Sequence, residues 1–113
     1  MGFKLKASVQ TAYRAGTRLA VLLRADPLSR EAIAQALAAA LEKYHVLAER
    51  WDRISERDGR EITAEAARVH QELGRFTLDT LCAEGEEGDD AREDALNLVG
   101  DFQRRANTLF PPK

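Results

Sequence analysis

The chain has one cysteine, three prolines, one tryptophan and only 6% aromatic residues. A lone Cys82 excludes an internal disulfide and any zinc site built from several thiolates, and it fits a reducing cytoplasm. So few prolines leave long stretches free to be helical. Long apolar runs are missing too. The longest near the start, LAVLL, is closed by Arg24, too short for the apolar region of a signal peptide or for a membrane span. The expectation is a soluble, cytoplasmic protein with no membrane partner.

What is abundant is alanine, leucine, arginine and glutamate, in a chain that is 44% hydrophobic and 32% charged. That balance is globular rather than disordered, and 113 residues make one domain the expectation. Punctuation falls at 25–29 (ADPLS), 57–63 (RDGREIT) and 83–90 (AEGEEGDD). Between these stretches apolar residues recur three and four apart, the period of amphipathic helices.

Four helices are expected, at about 3–24, 28–57, 63–84 and 90–108. The first carries the stripe Leu5, Val9, Ala12, Gly16, Leu19, Leu23, whose small members leave room for a close neighbour. Asp26 with Pro27, or Ser29, caps the second. Its stripe Ile33, Leu37, Ala40, Tyr44, Leu47, Trp51, Ile54 runs to the stop at Asp58-Gly59. Thr63 is an N-cap for the third helix. Asp90 with Glu93 resembles a capping box for the fourth.

Short connections force consecutive helices antiparallel, so an all-α, four-helix up-down-up-down bundle with a long second helix is the expected architecture. The second helix would be roughly 40 Å or more long at ~1.5 Å per residue. It overhangs its neighbours, and a homodimer covering Trp51 and Ile54 is expected.

Glu42-x-x-His45 has the spacing of half a carboxylate-bridged di-iron site. The other half is missing: the position three before His70 is Ala67, and the first helix has no acid. His45 is therefore read as a structural histidine, with no metal and no cofactor expected.

His70 is followed four residues on by Gly74. A helical histidine with a glycine one turn along resembles the motif of histidine-phosphotransfer domains. The resemblance implies a four-helix bundle in which His70 accepts a phosphoryl group and Gly74 clears space for a response regulator. It covers about seven residues and departs at Glu72, Leu73 and Phe76. An apolar residue, a lysine and a small residue would stand at those positions. Against it stands the plainer reading of a surface histidine beside a packing glycine.

Charge is segregated along the chain. Lys4, Lys6, Arg14, Arg18 and Arg24 precede any acid, whereas residues 84–94 hold seven acids (Glu84, Glu86, Glu87, Asp89, Asp90, Glu93, Asp94) and one cation, Arg92. Pairing of the two blocks inside the bundle is the expected use. No phosphate loop or nucleophile motif is present. The sequence thus points to a non-enzymatic interaction or regulatory bundle whose protein partner meets Trp51, Ile54 and the acidic residues Glu84, Glu86, Glu87, Asp89 and Asp90. Two alternatives stand beside it. One is phosphotransfer through His70 and Gly74. The other is nucleic-acid binding through Lys4, Arg14 and Arg18, with nucleic acid the less expected partner because the acidic segment would repel phosphates.

Overall fold

The apolar stripes close into five helices in the computed structural model, which describes residues 5–50 and 57–111. They are α1 (Leu5–Leu23), α2 (Arg30–Ala48), α3 (Arg57–Leu73), α4 (Leu78–Leu81) and α5 (Gly85–Leu109). Among the described residues there is no strand. The fold is all-helical.

On α1 the buried residues are Leu5, Val9, Ala12, Gly16, Leu19, Ala20 and Leu23, a continuous face at helical spacing. The matching face of α2 is Ile33, Ala36, Leu37, Ala40, Tyr44 and Leu47. Helices α3 and α5 add Ile62, Val69 and Leu73, and Leu98, Val99 and Phe102. In space α1 packs on α2, α2 on α3, α3 on α5 and α5 on α1, so the four faces share one core. Tyr44 and Phe102 meet edge to face inside it, with ring centroids 5.1 Å apart.

Several helix limits differ from those the sequence suggested. The second helix does not run to Arg57; it ends at Ala48, where the Glu49 and Arg50 amides close on the carbonyls of His45 and Leu47. Ala48, Glu49 and Arg50 are all good helix formers, so nothing local marks that end. Ser29, not Asp26, is its N-cap, accepting from the Ala32 amide at 3.3 Å. Asp58 and Gly59 do not stop a helix; they lie in the first turn of α3. Gly59 is buried there together with Ile62 and Thr63, and that packing outweighs glycine's ~1 kcal/mol helix penalty. Thr63 is accordingly not a cap. It sits inside α3, fully buried, and donates to the Arg60 carbonyl at 3.0 Å.

The expected third helix is split. Gly74, Arg75 and Phe76 close the end of α3 through their amides, and Thr77 caps the single turn of α4 by accepting from the Thr80 amide. Asp90 is not a cap either. Helix α5 starts five residues earlier, at Gly85, whose φ of +78° is open to glycine without strain. Glu86 and Glu87 then occupy its first turn, where carboxylates complement the helix dipole. The expected overhang residues Trp51 and Ile54, and Lys4, lie outside the described residues.

Candidate functional site

Two arrangements bring chemically useful side chains together. The first is the outer face of α1. Gln103 of α5 donates to the Tyr13 carbonyl (3.2 Å) and to Thr17 Oγ1 (2.8 Å), and Asn107 donates to the Tyr13 hydroxyl (3.1 Å). These bonds clamp one flank of α1 to α5. Lys6, Arg14, Arg18 and Arg24 are exposed. Among the described residues none of the four has an ion-pair partner. Beside them Val21 is 60% exposed, the most exposed large apolar side chain described. Tyr13, Arg14, Thr17, Arg18, Val21 and Leu22 line a shallow open depression on this face.

Among the described residues, the expectation that this face neutralises the acidic run is not met. All seven acids of residues 84–94 are exposed. Of these, Asp89 alone has a cation among the described residues, Arg92, at 2.6 Å. Arg92 itself turns inward and donates to the carbonyls of Leu81 (2.8 Å) and Ala83 (3.1 Å), closing the end of α4. The geometric cause is the register of the two helices: Tyr13 meets Asn107 and Thr17 meets Gln103, so Arg14 and Arg18 lie alongside the C-terminal half of α5, turns away from its acidic start. Arg14 and Arg18 thus lie together on one face, and Glu84, Glu86, Glu87, Asp89 and Asp90 lie together at the start of α5. The two groups do not meet within the chain.

The second arrangement could not be read from the sequence. His45 on α2 and His70 on α3 are 25 positions apart in the chain, yet their ring centroids lie 5.2 Å apart at 39°. His45 is about half exposed, and its Nε2 lies 3.3 Å from Glu49 Oε1. Glu42 does not join them in an ion pair; its carboxylate meets Lys43 at 3.2 Å. Among the described residues no group of three or more His, Cys, Asp or Glu side chains is arranged to hold a metal ion. His70 is half-buried, with His45 against its ring. Gly74, one turn on, is exposed and ends α3, where an added Cβ would come 3.1 Å from the His70 carbonyl. Its absent side chain serves the helix end.

Elsewhere, Arg68 on α3 bonds Glu65 (2.8 Å), Glu72 (3.2 Å) and, across to α5, Asp101 (3.0 Å). These carboxylates, Glu65 first, push its guanidinium further above its already high ordinary range. Cys82 is a free, half-buried thiol at the end of α4. Among the described residues no helix is long and apolar enough to cross a membrane. No protein-family model, curated protein or solved structure matches the chain.

Proposed function

We propose that the chain is a non-enzymatic protein-interaction module: a four-helix up-down-up-down bundle of α1, α2, α3 and α5 that docks an acidic protein surface on α1. The observation that carries this reading is the uncompensated face itself, with exposed Arg14 and Arg18 beside exposed Val21. Guanidinium groups without carboxylates, next to apolar surface, are the composition of an interface rather than of an inert solvated helix. The bundle arrangement is supported by the closed ring of packed helix pairs. It is also supported by contacts that descend one helix as they climb the next, such as Tyr13 with Asn107 and Thr17 with Gln103.

The chain carries a suitable partner surface of its own in the acidic start of α5, so a second copy is the proposed partner. The same arginines favour nucleic acid as the competing reading, and one experiment separates the two. A photo-crosslinking residue placed at Thr17 should yield a protein adduct, diminished by Arg14→Glu with Arg18→Glu. A DNA or RNA mobility shift near physiological salt, lost on Arg14→Ala with Arg18→Ala, would establish nucleic acid as the ligand and overturn the proposal.

A further inference from the structure

We infer that His45 and His70 form a bidentate site for a divalent transition ion of the zinc class, bridging α2 and α3. The histidine pair joins α2 to α3 and is independent of the α1 surface. Imidazole is a preferred ligand of Zn²⁺, Ni²⁺ and Cu²⁺, at ~2.0–2.1 Å for zinc. Two imidazoles sharing one tetrahedral ion at that distance hold their ring centres roughly 5 Å apart. The observed separation of the ring centroids, 5.2 Å, matches that spacing.

Glu49 offers the outer partner that such a site uses. A metal-bound histidine commonly gives its second nitrogen to a carboxylate, which fixes the tautomer and raises the basicity of the ligating nitrogen. Glu49, the residue that caps the end of α2, has its Oε1 3.3 Å from His45 Nε2, within reach to accept that N–H when Nδ1 is the ligand. His45 is half exposed, so an ion reaches the pair from solvent and water completes its coordination. Two protein ligands make a site that an ion can enter and leave, in contrast to a closed structural centre. The ion would clamp the last turn of α3 to α2 beside the exposed Gly74.

The test titrates tag-free protein with Zn²⁺ alone, by calorimetry and by following both imidazoles in NMR spectra. One equivalent should bind saturably, shift the ring signals of both histidines together and raise the melting temperature. His45→Ala and His70→Ala should each weaken binding at least tenfold, with the Gln substitutions as a second pair should an Ala variant fold poorly. Glu49→Gln should weaken it about tenfold, the lower end of the usual outer-shell effect. Cys82→Ser should leave it unchanged. Absence of saturable binding, movement of one imidazole without the other, or binding that survives either histidine substitution would overturn the site.

Discussion

Tyr44 and Gly16 form a pair whose energetics can be read atom by atom. The Tyr44 ring is fully buried and its hydroxyl has no hydrogen-bond partner. A Cβ at Gly16 would stand 2.7 Å from that hydroxyl and 2.9 Å from Val99 Cγ1. Glycine is there to admit the phenol oxygen, a more local reason than the close backbone approach its spacing suggested. Gly16→Ala gains ~1 kcal/mol of helix propensity but overpacks by ~1–3 kcal/mol, for an expected net loss of about 1 kcal/mol. Tyr44→Phe removes an orphaned polar atom and should stabilise by about 1 kcal/mol, seen as a higher urea midpoint with unchanged slope. In the double variant the Gly16→Ala cost should shrink, because one clashing atom is gone. Additive effects would show that the two positions do not sense each other. Burial also pushes the Tyr44 phenol well above its ordinary value of 10.0. The unfolded chain then loses a proton that the folded chain keeps, so stability falls as pH rises through about 10. The advantage of Tyr44→Phe should therefore widen between roughly pH 9 and 11 in the same urea measurement.

Among the elements, the joint between α4 and α5 is the most demanding, and it hangs on two residues. At Gly88 a Cβ would fall 1.8 Å from the Ala83 carbonyl oxygen, which is backbone and cannot step aside. Gly88→Ala should cost about 3 kcal/mol or more, among the largest effects a single methyl can have. Arg92→Ala would strip two carbonyls of their donor and should cost about 1–2 kcal/mol. Calorimetric melting ranks the two, and an Arg92→Ala variant worse than Gly88→Ala would refute this account. The Arg68 network joins α3 to α5 more gently. Its side chain is 40% exposed, so Arg68→Ala should cost about 1 kcal/mol, a loss that shrinks in high salt.

These joints also show what the sequence could and could not convey. The buried stripe of α1, and that of α2 as far as Leu47, match the periodic residues, because burial of a helix face is written in local spacing. The stops are another matter. Thr63 has the chemistry of a cap, and Asp58-Gly59 that of a terminator, but packing of Gly59, Ile62 and Thr63 into the core overrides both. Gly74 and Thr77 carry ordinary end and start signals that the continuing apolar pattern masked. The histidine pair was not legible, since no local rule links residues on separate helices. The unpaired state of Arg14 and Arg18 was equally hidden. It depends on the α1–α5 register, which sets Arg14 and Arg18 beside the C-terminal half of α5 rather than its acidic start.

At the scale of the molecule, a net charge of −2 conceals two surfaces of opposite sign that do not meet within one chain. If α1 of one copy lies on the start of α5 of another about a two-fold axis, each contact is made twice. Light scattering at micromolar concentration should then give a dimeric mass near 0.1 M salt, where screening acts over roughly 10 Å. Near 1 M salt the screening length drops to roughly 3 Å, and the mass should fall toward monomer. Arg14→Glu with Arg18→Glu should be monomeric even at the lower salt, as should Glu84→Lys, Glu86→Lys, Glu87→Lys and Asp90→Lys combined, a set that leaves Asp89 as the one acid of the five at the start of α5. Neither result alone separates specific pairing from general repulsion, but mixing the two variants does. Each homodimer then sets like charges against each other. The mixed pair sets a reversed α1 against a reversed α5, and a native α1 against a native α5, so both of its contacts are attractive. A dimeric mass that appears only on mixing is the expected result. Monomers in the mixture, or a wild-type mass that is monomeric at both salts, would rule out self-association through these faces.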